Sequence, residues 1–329
     1  MTDVRSRPGL AERLRPLLAF LLPTAITRWT RITGWLLVIT NIGIVATGGL
    51  VRLTGSGMGC ETWPYCVEGS LVPTPEMGIH GAIEFGNRTL TGVLVIVALL
   101  AFLSVVRLRA TRRELPILSF LVGLGIIVQA VIGGITVWLH LHPSIVGLHY
   151  LISAALVAVA TAFLVRVYAV PGPRRRAVPL PYAIVTHVTT LAVATTVVVG
   201  ILLTGAGPHA GDDAAARNGL DPIFWQHVHS WPAYATLALT LVLVVGAMRM
   251  PRETGLRRWT GLLLAVELVQ IAVGLWQART GLPILLVNIH MVLAVTLVAA
   301  MVAVVMAMKT PVSASAVAPM REPARTEAS

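Results

Sequence analysis

Apolar stretches and short polar segments alternate along the whole chain. Eight of the apolar stretches have about the twenty residues that an α-helix needs to cross a bilayer. They lie near residues 33–52, 80–106, 115–138, 144–168, 181–204, 225–248, 258–278 and 283–308. Composition agrees, because 56% of the residues are hydrophobic and only 12% are charged, against roughly 25% charged residues in soluble proteins. The pattern therefore predicts an all-α polytopic membrane protein.

The basic residues orient these spans. All but four of the 25 Lys and Arg residues fall in the N-terminal segment, in alternate connections or after the last span. The positive-inside rule makes that side cytoplasmic. Both termini are then cytoplasmic, which requires an even number of spans and agrees with eight. The net charge of +11 follows from this topology, so it indicates a multi-pass protein of the cell membrane in contact with the lipid bilayer. It does not indicate nucleic acid as a partner.

Short motifs in the first half of the chain recur in order in the second half. The segment "LTGSG" at 53–57 recurs as "LTGAG" at 203–207, and "QAVIGG" from Gln129 recurs as "QIAVGL" from Gln270. Each of these glutamines is 20 residues before a histidine. Because both halves start on the cytoplasmic side, we predict two homologous four-helix bundles related by a pseudo-twofold axis along the membrane normal.

This repeat divides the chain into five parts. They are a basic cytoplasmic N-terminal segment with a short apolar piece that suits an interfacial helix (1–32), an N-terminal four-helix half (33–168), a cytoplasmic linker (169–180), a C-terminal four-helix half (181–308) and a disordered cytoplasmic tail (309–329).

Four even-numbered spans carry a special side chain near their outer ends, on the order of 10 Å below the surface. These side chains are Asn87, His149, His229 and His290. The repeat aligns "IEFGNR" with "WQHVHS", which places Asn87 opposite His229. Two imidazoles that face each other across a bundle suit the axial positions of a haem iron, so we predict His229 and His290 as such a pair. For any single histidine, a hydrogen bond to a neighbouring helix is the alternative.

The first half differs, because His149 has Asn87 opposite it and asparagine is a poor iron ligand. One iron face would then be open or weakly filled, as chemistry at a haem requires. Glu84 lies one turn before Asn87 on the same face, and a carboxylate in a membrane span is a functional candidate. The alternative role for Glu84 is pairing with Arg88 or with His80, and His80 is itself a rival ligand for the first-half iron.

The outer side of the protein contributes further candidates. Cys60 and Cys66 are the two cysteines of the chain and share the first external loop, where an oxidising compartment favours a disulfide. Unpaired thiols or a transient redox pair are the alternatives. Arg52, Arg88 and Arg279 lie near outer helix ends and are candidate partners for haem propionates, or else they extend to the interface as ordinary anchors.

In combination, "LVRLTGSGMGC", "IEFGNR", "GLHYLIS" and "NIHMVLA" on eight spans in two halves resemble the haem A synthases of the CtaA type, over roughly residues 33–308. The "EFGNR" form resembles the actinobacterial branch. The resemblance implies oxidation of the C8 methyl group of haem O to the formyl group of haem A, for aa3-type terminal oxidases. It implies haem b on His229 and His290, the substrate haem on His149 and a catalytic Glu84.

The resemblance also implies partners and a departure. A haem O synthase would supply the substrate, and the terminal oxidase assembly machinery would receive the product. Many family members carry a histidine where this chain has Asn87, so the substrate site here lacks one expected ligand. No motif identifies the electron acceptor, and exposed helix faces leave a homo-oligomer open.

Two other functions fit part of the pattern. A membrane cytochrome of the b type, acting as an electron carrier, explains the histidines but not the contrast between Asn87 and His229. A transporter explains a repeat with polar residues, but its polar groups would lie nearer the membrane midplane than these do.

Overall fold

The computed structural model describes residues 10–312. The predicted N-terminal segment therefore lies partly outside the described residues, and so do residues 313–329 of the predicted tail. The helices are α1 (Leu10–Leu21), α2 (Arg28–Leu53), α3 (Gly78–Leu103), α4 (Glu114–Trp138), α5 (Pro143–Tyr168), α6 (Leu180–Ala206), α7 (Pro222–Met248), α8 (Leu256–Arg279) and α9 (Ile284–Ala307). Eight helices in this part of the chain, α2 to α9, are long and apolar enough to cross a membrane. This confirms the prediction of an all-α polytopic membrane protein.

The first span begins earlier than the apolar pattern predicts. The side chain of Thr27 accepts a hydrogen bond from the backbone N–H of Thr30, and the side chain of Thr30 accepts one from the backbone N–H of Thr27. This capping box satisfies backbone donors that a helix start leaves free. The helix therefore begins at Arg28 and includes polar residues that hydropathy alone excludes.

The helices pack in two groups, which we call the first group (α2 to α5) and the second group (α6 to α9). Within each group, consecutive helices pack against each other, and the first helix also packs against the last. Phe163 is fully buried in the core of the first group, and Leu243 and Leu263 are fully buried in that of the second. The groups meet mainly where α9 contacts α2 and α5. The pseudo-twofold axis between them stays a prediction.

The linker and the start of the tail are joined by a short sheet. Strand β1 (Arg174–Arg176) pairs antiparallel with β2 (Lys309–Pro311), with Arg175 opposite Thr310. The sequence predicted a linker and a disordered tail here, because three-residue strands have no hydrophobic pattern of their own. The pairing holds the end of α9 close to the connection between the two groups.

Candidate functional site

The acid of the first group lies under the external loop. Glu84 in α3 is 5% exposed. The backbone N–H of Cys60 donates a hydrogen bond to its Oε2 at 2.7 Å. Arg88, one turn further along α3, donates to its Oε1 from Nε at 3.1 Å and from NH2 at 2.5 Å. Glu84 therefore forms an ion pair with Arg88, which is one of the roles that the sequence analysis considered for it. The backbone N–H of Cys60 adds a hydrogen bond to the same carboxylate.

Arg88 ties this external loop to α3. Besides Glu84, it donates from NH1 to the backbone carbonyls of Thr62 and Tyr65 at 3.0 and 3.1 Å. Both carbonyls lie between Cys60 and Cys66, which form a disulfide and are fully buried. This confirms the predicted disulfide. The bridge, the arginine and the acid form one connected unit, which we call the loop–acid unit.

Asn87 is not arranged as a ligand. Its Oδ1 accepts a hydrogen bond from the Thr47 hydroxyl of α2 at 2.7 Å. The remaining polar atom, the amide nitrogen, only donates hydrogen bonds, so it has no lone pair for a metal. Thr47 was not recognised as a site residue in the sequence, since a threonine on an apolar helix commonly bonds to its own backbone.

His149 in α5 is the imidazole of the first group. Its Nδ1 is buried without a hydrogen-bond partner. Gly133 of α4 faces its ring, so closely that an added Cβ would lie 3.5 Å from Cε1. Gln129 Nε2 donates to the backbone carbonyl of His149 at 2.8 Å and fixes this turn of α5 against α4.

His229 of α7 and His290 of α9 face each other in the second group. Their ring centroids are 6.3 Å apart and the ring planes are inclined at 70°. Two imidazoles bonded at about 2 Å on opposite sides of one metal ion have centroids about 6 Å apart. Both Nδ1 atoms are buried without a hydrogen-bond partner. The spacing and the donor set therefore fit a haem iron with two axial imidazoles.

Glycines make room for both of these rings. An added Cβ at Gly200 would lie 2.9 Å from Cε1 of His229, and one at Gly274 would lie 3.0 Å from Cε1 of His290. Such contacts are too close for a larger residue without displacement of the ring. Small residues at these two positions are therefore part of the site.

The same contacts recur in the first group at repeat-related positions. Gln270 Nε2 donates to the backbone carbonyl of His290 at 3.1 Å, as Gln129 does to His149. Gly274 faces His290 as Gly133 faces His149, and both members of the first pair lie 141 residues after those of the second. The turns that carry His149 and His290 thus have matching neighbours, whereas Asn87 stands where the repeat places His229 in the second group.

The other predicted residues lie at or near the end of a helix. His80 is exposed, and its Nδ1 is 2.9 Å from the Ser56 hydroxyl. Arg52 donates to the backbone carbonyls of Thr204 and His209 at 3.0 and 2.8 Å, so it connects the first group to the outer loop of the second. Arg279 is exposed at the end of α8.

A further acid escaped the sequence analysis. Glu267 in α8 is 3% exposed, deep in the second group. Its signal was present in the sequence as the lone charged residue within "LLLAVELVQ". It has no counterpart in the repeat motifs, which is why the comparison of the halves did not single it out.

Comparison with known proteins decides the family. The family model COX15-CtaA, described as cytochrome oxidase assembly protein, matches residues 31–302. The chain belongs to this family. The match includes all eight candidate membrane spans almost entirely, so it covers both the loop–acid unit and the paired histidines.

Individual relatives of the chain are called heme A synthase. One from Lysinibacillus sphaericus is 38% identical over 126 residues, which are 36% of this chain and 39% of that protein. One from Bacillus mycoides is 33% identical over 144 residues, 41% of this chain and 45% of that protein. One from an Exiguobacterium species is 28% identical over 254 residues, 72% of this chain and 79% of that protein. The first two matches thus span less than half of the relatives' length.

Proposed function

We propose that the chain is a haem A synthase, which oxidises the C8 methyl group of haem O to a formyl group. The observation that carries this proposal is the contrast between the two helix groups. The second group holds two facing imidazoles 6.3 Å apart, whereas the first holds one imidazole and a buried acid. One site is suited to a permanently bound cofactor and the other to a reacting substrate.

The second site suits haem b, with His229 and His290 as its axial ligands. When bound there, haem b accepts and passes on one electron at a time. The protein contributes two neutral imidazoles and the glycines that seat them. With His229 and His290 both holding the group, this site would supply electron transfer and would leave no ligand position for a substrate.

The first site suits haem O as substrate, with His149 as the ligand to its iron. The Oδ1 of Asn87 accepts a hydrogen bond from Thr47 and a carboxamide is a poor iron ligand, so we assign a single iron ligand, His149, to these two positions. We assign His80, which is exposed and lies 2.9 Å from the Ser56 hydroxyl, to the outer edge of the substrate site and not to the iron. The opposite face of the substrate iron is left to water or another small molecule.

Glu84 is the group that moves protons at the substrate methyl group. With the oxygen written as coming from water, conversion of a methyl group to a formyl group releases four electrons, which leave through the second site to its acceptor, and four protons, so a proton acceptor within reach is required. The carboxylate is held from two sides, by the Cys60 N–H and by the Arg88 guanidinium. Its orientation is thus fixed before the substrate enters, which lowers the entropic cost of reaction.

The setting of the reaction follows from the topology. With both termini cytoplasmic in the cell membrane, the two haem sites lie toward the outer face. We assign the exposed Arg279, and the NH1 group of Arg52 that its two carbonyl contacts do not use, as partners of haem propionates. A haem O synthase supplies the substrate, and the assembly machinery of an aa3-type oxidase takes up haem A.

Haem extraction tests this function directly. The chain is expressed in a host that makes haem O and lacks its own haem A synthase, and the extracted haems are separated and identified by mass. We expect haem A with the native chain and none with Glu84→Gln. A b-type electron carrier or a transporter yields no haem A in either case, so its absence with the native chain overturns the proposal.

A further inference from the structure

A second carboxylate lies inside the membrane-spanning part of the protein, in the other helix group from Glu84. Glu267 is at the middle of α8 and is 3% exposed. Neither of its carboxylate oxygens has a hydrogen-bond partner among the described residues. An ionised carboxylate in an apolar, unpaired environment carries a large desolvation cost, whereas the protonated acid does not. A group in this position is sensitive to any change of charge nearby.

Thr240, the side chain beside Glu267, can form a hydrogen bond with either protonation state of the acid. Thr240 of α7 lies next to the carboxyl group. It is fully buried, and its hydroxyl has no hydrogen-bond partner among the described residues. A hydroxyl both donates and accepts, so Thr240 can donate to the carboxylate or accept from the acid. The two unpartnered side chains form one small polar site within apolar surroundings.

The acid is specific to the second group. Glu267 lies three residues before Gln270, and the corresponding residue before Gln129 in the first group is Ile126, which is 2% exposed. The shared helix packing is therefore compatible with an apolar residue at this place. The buried acid occurs only in the helix group that also contains His229 and His290. We therefore relate Glu267 to the histidine site and not to a requirement of helix packing.

Glu267 and the histidine site are joined through Gln270. Residues three apart lie on the same face of a helix, and the step from Gln270 to Glu267 is about 4.5 Å along the axis toward the cytoplasmic end. Gln270 in turn donates to the backbone of His290. The acid thus lies one turn below the residue that fixes the histidine-bearing turn of α9.

Few other charges face this acid. The helices packed against α8 are α7 and α9, and neither contains Asp, Glu, Lys or Arg between its first and last residue. The titratable and charged residues of these helices, of the turn before α8 and of α8 itself are His227, His229, Tyr234, His290, Arg252, Glu253, Arg257, Arg258 and Arg279. Among these groups, His229 and His290 form the site where the proposed electron transfer changes the charge.

We propose that Glu267 is a proton-binding site, which takes up a proton when the site at His229 and His290 gains an electron. This inference rests on the proposed haem b at that site. The electron comes from the oxidation of the substrate haem. The positive charge of the oxidised site offsets the desolvation cost of an ionised Glu267; reduction removes that charge, and the carboxylate then binds one proton from the solvent and forms an O–H bond. One negative charge and one positive charge thus enter together, and both leave when the electron passes to its acceptor.

The test is the midpoint potential of the low-spin haem in the reconstituted holoprotein, measured by spectroelectrochemistry across a pH series. For the native chain we expect the potential to fall as pH rises, because proton uptake accompanies reduction. Glu267→Gln should keep the low-spin spectrum and lose most of this slope. Glu114→Gln is the matched control, since it removes a carboxylate with a 43% exposed side chain from the first group, and it should retain the native slope.

Each outcome decides a separate claim. An equal slope in the native chain and in Glu267→Gln overturns the proton site and leaves the proposed function intact. Absence of a low-spin bis-histidine spectrum from the native chain overturns the haem b placement and with it this inference. If Glu267→Gln does not bind haem, the Thr240→Val variant is measured in its place. This variant keeps the acid but removes the neighbouring hydroxyl, so the pH range over which the midpoint potential changes should move. An unmoved range in that variant also overturns the proposal.

Discussion

The backbone N–H of Cys60 donates a hydrogen bond to Glu84 Oε2 at 2.7 Å. This bond joins the first residue of the disulfide loop to the proposed catalytic acid across 24 positions of sequence. Arg88 contacts both the acid and the loop, since it pairs with Glu84 and donates to backbone carbonyls of the disulfide loop. The disulfide therefore does more than close a short loop, because it shapes the segment that presents a donor to the acid.

Removal of the disulfide should affect catalysis more than stability. Closure of a loop with a sequence separation of six stabilises the fold by about 2 kcal/mol in the chain-entropy model. We expect Cys60→Ser with Cys66→Ser to lower haem A formation at least tenfold, as the amide of residue 60 loses its fixed position. The low-spin haem of the second group should remain, as measured by its reduced-minus-oxidised spectrum. Unchanged haem A yield in the double variant would mean that the loop does not position Glu84.

Arg88→Lys tests the fork geometry of the arginine. Lysine keeps the charge but cannot donate to Glu84 and to two loop carbonyls at once. The loss of one hydrogen bond to a charged group costs about 2 kcal/mol, which corresponds to roughly a 30-fold lower rate. The readout is haem A formed per bound low-spin haem. The control is Arg107→Lys in the connection between α3 and α4, which should form haem A at the native rate; equal rates for both variants contradict the role of Arg88.

The space beside His290 gives a steric prediction. An added Cβ at Gly274 meets the ring at 3.0 Å, whereas one at Gly43 meets no atom within 4 Å. Gly274→Val should therefore displace the imidazole and abolish low-spin haem binding, while Gly43→Val should bind haem as the native chain does. Both changes place the same side chain in a membrane helix. Normal low-spin haem content in Gly274→Val would argue against His290 as a ligand.

Asn87→His should change the spectrum of the first group. The introduced imidazole would stand opposite His149, at the place where Asn87 now bonds to Thr47. With substrate haem present, we expect a second low-spin six-coordinate signal beside that of haem b. Electron paramagnetic resonance of the oxidised protein measures it. A spectrum identical to that of the native chain would show that position 87 does not face the iron.

The sequence by itself determined the class of the protein, the eight spans, the family resemblance and the histidines to compare. These features are local or periodic: hydrophobic run length, the distribution of arginines, and motifs repeated at matching places. Hydropathy placed the first helix start late, at residue 33, because the start at Arg28 depends on the side chain of Thr27. The sheet that joins β1 and β2 was not predicted, since such short strands depend on a partner far away in the chain.

Only the tertiary structure decided which of these side chains meet. The distance between His229 and His290 depends on how α7 and α9 pack, and the engagement of Asn87 depends on a hydroxyl of α2. Glu84 was a candidate because a carboxylate inside a membrane span has a high free-energy cost. One of its partners, the backbone N–H of Cys60, cannot be identified from a sequence motif. Glu267 showed its significance only once its oxygens were known to be buried and unpaired. Sequence patterns indicate which side chains of a helix must be buried or hydrogen-bonded. Which neighbouring residue provides the contact is decided by the packing between helices.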